Sequence, residues 1–471
     1  MEETHLRKRR QTVKLGLIKA AGELFPEDRL KTSYSIQEGV VWNLAGSVLS
    51  EREVRQIAQR LDQWVREDRP IQFLRHQDGY YHYDVDGLLT RVLYPAENRS
   101  SLVEAFKIIP YAAGFIVDFG EEEGAGESLL VPPAKLAEAY DKTQRWLHNL
   151  GVELVADVNA FVDSGRSLEL LTIAEALQEK EISDIADLIL SQRRALRVLL
   201  ISGPSASGKT SFAQRLATQL RVNGLRPVPL SLDNYFLNRE DTPKDAAGRP
   251  DFESLHALDL PLLQDQVSRL INGETVAGPR FDFVHGRRLD EVDTLRLAPD
   301  EILVIEGIHA LNPGLLPGIR RNLCWRVYIS ALFLLNVDLV NRIPTTEVRL
   351  IRRIVRGDKF RGTHPEKTID QWPSVRRGER HHVFRYQEEA DAMFNSSMLY
   401  EMHALRPAAE QALRKIADDS PHAAARDRLL NLLGFFHPMD DARVPYNSIL
   451  REFIGGSIYF DAGLAGNRLP H

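Results

Sequence analysis

Cysteine is nearly absent: Cys324 is the only one in 471 residues. A single thiol excludes an intrachain disulfide and fits a reducing compartment. Its place in Leu323-Cys324-Trp325 predicts a buried structural side chain. Long apolar runs are missing too, none approaching the ~20 residues of a membrane span. The basic group Arg7-Lys8-Arg9-Arg10 leads into an amphipathic stretch broken by Lys14 and Lys19, not into the continuous apolar core of a secretory leader. It is expected to be a solvated arm, and the protein cytoplasmic. There is no basic excess: 60 Lys and Arg face 66 Asp and Glu, a net charge of −6, which argues against a general nucleic-acid binder. Internal repeats and low-complexity segments are absent. What remains is an ordinary globular composition, long enough for two to four domains at roughly 100–200 residues each.

The first third reads as α+β. Residues 11–25 carry apolar positions at Val13, Leu17, Ala20, Ala21 and Leu24 and predict a helix limited by Pro26. Residues 51–67 predict a second, with Val54, Ile57, Leu61 and Val65 on one stripe. Strand-like pieces fall at 39–44, 71–75, 80–85 and 114–119, and the acidic, glycine-rich stretch 120–127 reads as a loop. His76, Asp78, His82 and Asp84 form the only metal-like cluster in this region, which a solvent-facing strand explains equally well. Residues 134–150 and 167–195 read as connecting helices.

The pattern changes at Arg197. Val198-Leu199-Leu200-Ile201 is a buried-strand run, 209–221 a helix, and 227–232, 302–305 and 325–329 further strands. Strands alternating with helices predict a parallel sheet with helices on both faces. Residues 402–434 read as helical, and 457–460 as strand-like. The expected domains are 1–133, a helical connector 134–195, an α/β unit 196–416 and an extension 417–471.

Between the first strand and its helix stands Gly203-Pro204-Ser205-Ala206-Ser207-Gly208-Lys209-Thr210, which matches G-x-x-x-x-G-K-[ST]. Its glycines let backbone N–H groups turn around a β-phosphate, its lysine reaches the β/γ oxygens, and its threonine hydroxyl ligates Mg²⁺. The helix that begins there adds its positive end. ATP and Mg²⁺ are the expected cofactors, with residues 203–210 holding the nucleotide. Glu306 closes the run Leu303-Val304-Ile305 at a strand end that lies beside such a loop in a doubly wound sheet, where it can serve the Mg²⁺ shell or polarise a water. Asp233 follows a second strand, in Ser231-Leu232-Asp233-Asn234-Tyr235-Phe236. It could orient an alcohol and take its proton, but aspartate is also a common turn residue, so position alone leaves both roles open. Arg349, Arg352, Arg353 and Arg356 share one helix face, followed by Arg361 in a glycine-flanked loop. Four like charges on one face call for anions, which predicts a mobile, arginine-bearing lid over phosphates, with Arg353 and Arg356 at the transferring group and Arg352 and Arg361 on the nucleotide.

Together with Pro279-Arg280-Phe281-Asp282-Phe283 and Ile305-Glu306-Gly307, these motifs resemble the uridine kinase and phosphoribulokinase family, in order and spacing, over roughly residues 196–400. The resemblance implies a P-loop α/β kinase with a helical lid, preceded here by a smaller α+β domain. It implies ATP-dependent phosphorylation of a nucleoside 5′-hydroxyl in pyrimidine salvage. Asp233 takes the place of the catalytic aspartate beside Lys209 and Glu306. Tyr235 joins Asp233 on the substrate side, and Phe281, Asp282 and Arg288 fall where the nucleoside is held. Thr210 and Glu306 fall to the metal. The sequence departs from the family where a histidine reads the base: Gly286 stands there, with His285 one residue earlier. The family's acidic H-P-D segment is altered to Phe252-Glu253-Ser254-Leu255-His256.

The N-terminal region is similar to the second additional domain of threonyl-tRNA synthetases, through Glu23-Leu24-Phe25-Pro26 and Tyr34-Ser35-Ile36-Gln37-Glu38-Gly39. The two helix histidines of that domain are replaced by Gln11 and Leu15, so no imidazole pair is available to a metal. The expected partner is a small nucleoside-like acceptor, with no membrane and no nucleic acid; assembly into a homo-oligomer stays open. The alternatives are a kinase of another small alcohol, such as a sugar phosphate or modified nucleoside, and an RNA-binding module that uses ATP as a switch.

Overall fold

The computed structural model describes residues 2–36, 39–120, 133–193, 196–245, 248–282 and 285–459. The apolar runs after Arg197 become a five-stranded sheet in the order Ala392–Asn395, Cys324–Ser330, Val198–Ser202, Glu301–Glu306, Arg226–Ser231, every pairing parallel. All five residues of the central strand Val198–Ser202 are buried, because both faces are covered. Alternate side chains go to opposite layers. Leu199 and Ile201 meet Phe212 and Leu216 of the helix Lys209–Val222, together with Ile182 and Ile189 of Ser167–Ser191. Val198 and Leu200 meet Leu263, Val267 and Leu270 of Leu260–Ile271.

The residues expected to connect two domains are therefore part of the sheet's cover. A helix that the sequence did not single out, Val155–Asp163, lies between the two expected ones. The expected C-terminal helical stretch divides into Glu401–Leu413 and Ala423–Leu433. Ser457 to Tyr459 form a turn, not a strand, and Phe460 lies outside the described residues, as do 121–127 of the expected loop and Phe283.

In the N-terminal region, helices Glu2–Leu24 and Glu51–Arg66 cover a four-stranded antiparallel sheet ordered Leu30–Ile36, Gly39–Leu44, Gly114–Asp118, Lys107–Tyr111. A second sheet joins Ile71–Gln77, Tyr80–Val85 and Leu88–Val92. His76 stacks on Tyr81 across it at 4.3 Å, and among the described residues no three or more acidic, histidine or cysteine side chains come together as a metal-binding group. The basic run is not a solvated arm. It lies inside the first helix, where Arg7 donates to Glu347 at 2.7 Å and the Arg10 guanidinium lies 4.8 Å from the Phe119 ring centre. A buried carboxylate partner explains why the run is ordered. Among the described residues no helix is long and apolar enough to cross a membrane.

Candidate active site

The cradle leaves the central strand at Gly203. A Cβ there would stand 2.2 Å from the Ile329 carbonyl oxygen, so only glycine fits this close passage. Gly208 adopts φ +82° at the helix start, with Ile449 filling the space where a side chain would go. Between them Ala206 is held at φ 58°, a left-handed conformation that costs an alanine roughly 1–2 kcal/mol.

Three carbonyls are pinned from behind. Arg349 Nε donates to Ser205 O at 2.9 Å, Arg352 NH1 to Ala206 O at 3.3 Å, and Ser396 Oγ to Ser207 O. Carbonyl and N–H point opposite ways across a peptide plane, so holding these oxygens outward aims the N–H groups of Ala206 and Gly208 into the cradle, while the Ser207 N–H donates to the Pro204 carbonyl at 3.2 Å across the turn. The Ser205 N–H turns the other way, to Glu379 Oε1 at 2.8 Å.

These contacts correct the expectation for the arginine helix, Thr345–Phe360. Arg352 does not reach toward a nucleotide. It is fully buried, paired with Glu401 and bonded to the Ser396 carbonyl at 3.1 Å. Arg349 is likewise buried and paired with Glu379. Half the expected lid is thus a brace, and the helix carrying it is packed into the core through Val348, Ile351, Ile354 and Val355. Arg353 and Arg356 face the loop: Arg353 NH1 donates to Ser205 Oγ at 2.5 Å, and Arg356 NH1 to Glu452 at 2.7 Å. Arg361 ends the helix, and the Arg356 guanidinium beside it pushes it down to about 10.

Lys209 donates to the Pro204 carbonyl at 3.0 Å, across the mouth of the loop. Burial lowers its pKa, while Glu306, Asp233 and Glu452 around it act in the opposite sense. Parallel pairing sets this convergence, since Glu306 is opposite both Ile201 and Ser231 and therefore ends level with the cradle. Burial, then the nearby Asp233 charge, push Glu306 up to about 7, against the Ser231 hydroxyl that donates to it at 2.6 Å and against Lys209. A buried patch so crowded with negative charge suits a hard cation. The donors, Thr210 hydroxyl and Glu306 carboxylate, are oxygens, and Mg²⁺ characteristically uses one or two carboxylates plus substrate phosphates rather than a protein cage.

Asp233 lies in the one-turn helix Leu232–Tyr235 that follows its strand. Tyr235 is not a pocket wall: it is buried, and its hydroxyl donates to Gln266 at 2.7 Å. Phe236 takes that place, its ring 6.0 Å from Phe281. Arg288 is an anchor for this loop, donating to the carbonyls of Tyr235 and Phe236 and to Asp259 at 2.9 Å. Asp282 accepts from His285, at 3.2 Å from its N–H and 2.5 Å from its ring.

Four residues had no motif to announce them. Glu379 and Glu452 sit against the cradle. Glu253 has an enclosed Oε2 without a hydrogen-bond partner, and burial followed by the Glu379 charge pushes it up to about 7 while Arg353 and Lys209 pull the other way. His309, three residues past Glu306, is buried, and burial followed by the neighbouring His382 pushes it down to about 3, so it is neutral. The altered Phe252-to-His256 stretch hinted at Glu253; nothing local marked the others.

A parallel sheet with this cradle at its carboxyl edge, a lysine within it and two carboxylates beside it defines a P-loop kinase. Residues 198–401 match the family model described as phosphoribulokinase / uridine kinase. Uridine kinase from Deinococcus deserti is 29% identical over 175 residues, which are 37% of this chain and 75% of that one. Uridine kinase from Ligilactobacillus salivarius is 26% identical over 178 residues, 38% and 74% of the two chains. Among solved structures, D-glycerate 3-kinase from Cryptococcus neoformans var. grubii covers 43% of this chain and 87% of its own, at 17% identity and a TM-score of 0.31.

Proposed function

We propose that the chain transfers the terminal phosphoryl group of ATP, with Mg²⁺, to the 5′-hydroxyl of a nucleoside-like alcohol. The observation that supports this reading is the meeting of Lys209, Asp233 and Glu306 at one sheet edge, with an aromatic pair, Phe236 and Phe281, beyond Asp233. The cradle N–H groups and Lys209 hold the β/γ oxygens. Arg353, Arg356 and Arg361 supply positive charge as the bond from the γ-phosphorus to its bridging oxygen breaks and the acceptor oxygen bonds in its place. Asp233 orients the hydroxyl and takes its proton late, since a carboxylate is a weak base and the transition state is loose. Thr210 and Glu306 would hold the metal, whose charge neutralises the leaving oxygens. The relatives named uridine kinase favour a pyrimidine nucleoside.

A second reading is favoured by particular contacts. The position of a base-reading histidine is Gly286, whose φ is +69°, and Arg288 is committed to the chain's own carbonyls and Asp259. The unpaired Oε2 of Glu253 suits a hydroxyl. Another polyhydroxylated alcohol, a sugar or sugar phosphate, is the rival acceptor. ATP consumption across a panel of nucleosides, sugars and sugar phosphates separates the two. With the best acceptor, Asp233→Asn is expected to keep ATP binding and lose about 10²–10⁴-fold in kcat. If it instead loses Mg²⁺-dependent ATP binding while acceptor affinity persists, Asp233 belongs to the metal shell.

A further inference from the structure

Ser211 follows the lysine and threonine of the cradle. Its N–H is among the four at the head of Lys209–Val222 that helix geometry leaves without an internal partner. A carboxylate from near the other end of the chain takes it. Glu452 Oε2 accepts from Ser211 Oγ at 3.0 Å and from Ser211 N–H at 3.4 Å. Its other oxygen accepts from Arg356 at 2.7 Å. The side chain is 8% exposed. The head of a helix, with its outward N–H groups and positive end, is where a phosphate is seated in this class of loop. Glu452 therefore occupies donors that a nucleotide phosphate needs, and engages one of the guanidiniums that would meet it.

The backbone carrying Glu452 is fixed. Phe453 is fully buried under the Arg352 guanidinium, 5.0 Å from its ring centre. Arg451 donates to the carbonyls of Val444, Asp441 and Gly455. Ile449 fills the space beside Gly208. The Glu452 side chain is thus free to turn only about its own bonds while the segment stays in place.

We propose that Glu452 is a stand-in anion: it holds the helix head and Arg356, and a nucleotide phosphate takes both over when the side chain rotates away. With Glu452 in place, the four cations Lys209, Arg353, Arg356 and Arg361 face three carboxylates, Asp233, Glu306 and Glu452. With it turned out, only two carboxylates remain among them, and the positive excess that a polyphosphate needs grows. The inference rests on reading the loop as a nucleotide cradle, and is independent of which alcohol is phosphorylated.

The test is calorimetric titration of ADP, with and without Mg²⁺ and without any acceptor, into the full chain and its variants. Removing the competing charge in Glu452→Gln should tighten ADP binding by about tenfold. Arg356→Gln should then weaken binding more in the Glu452→Gln background than alone, because Arg356 is disengaged there. If Glu452→Gln folds poorly, Glu452→Ala serves in its place. Unchanged or weaker ADP binding overturns the proposal. Loss of only the Mg²⁺-dependent part overturns it in favour of a cation ligand. If the unmodified chain binds no ADP at all, the cradle reading itself fails and this inference falls with it.

Discussion

Glu347, at the start of the arginine helix, offers a test of how the N-terminal region is tied to the kinase. Its side chain is 4% exposed and meets two guanidiniums from distant parts of the chain, Arg7 of the first helix and Arg428 of Ala423–Leu433. Burial alone would raise its pKa, but the Arg428 and Arg7 charges more than offset it and bring the carboxyl from 4.5 down to about 2. At 1.36 kcal/mol per unit, that difference is worth about 3 kcal/mol of stability. Because the folded value lies below the unfolded one, the stabilisation is complete above about pH 4.5 and is lost as the pH falls toward 2. Glu347→Gln removes the charge and leaves both arginines facing each other. Urea unfolding at pH 7 should show a loss of about 3 kcal/mol, near the ~3–5 kcal/mol expected for breaking a buried pair. The gap between the two proteins should narrow as the pH falls from 4.5 to 3. A gap that stays constant across that range refutes the ionic account, and would leave packing at the helix start as the cause.

Lys209→Ala should reduce phosphoryl transfer about 10²-fold or more with the fold intact by circular dichroism, and near-normal turnover would remove the cradle assignment. Glu306→Gln should also inactivate, yet stabilise the protein free of ligands. The carboxyl is raised to about 7, so ionising it costs the fold increasingly between pH 4.5 and 7, and Tm should rise in the variant at pH 8 but not at pH 5. Arg352→Gln should lose about 3–5 kcal/mol by uncovering the buried Glu401 charge, and should weaken ADP binding although Arg352 points away from the cradle. Unaltered ADP affinity in a folded Arg352→Gln protein would show that pinning the Ala206 carbonyl does not matter.

The sheet was readable chiefly through its inner strands Val198–Ser202 and Glu301–Glu306, whose apolar runs are the signal that burial on both faces produces whatever the neighbours are. The short edge strand Ala392–Asn395 gave no such run. The arginine spacing correctly implied one helix face meeting anions, but not which anions. Arg349 and Arg352 answer to Glu379 and Glu401, 30 and 49 residues away, and to backbone oxygens, which no pattern of side chains reveals. Tyr235 failed for a related reason: an aromatic after a strand end can turn inward or toward a pocket, and Gln266 decides it. Glu452 was invisible because its segment is irregular and owes its place to Ile449 and Phe453, single residues with no periodicity.

The largest apolar cluster joins Tyr34 and Ile36 near the start of the chain, Leu136 to Ala174 in the middle, Val348 to Val355, and Leu429 to Ile454 near the end. The border drawn by sequence likeness, 198–401, runs through the middle of that cluster. An excised fragment with those limits would keep the whole catalytic sheet and every cradle residue. It would nevertheless present to water the apolar sides of the arginine helix and of Glu401–Leu413, its last helix cut at the first residue. The part of the molecule shared with smaller relatives is, in this chain, not separable from what was added to it. Anyone wishing to study the phosphotransferase alone will have to redesign an exposed surface rather than choose a cut site.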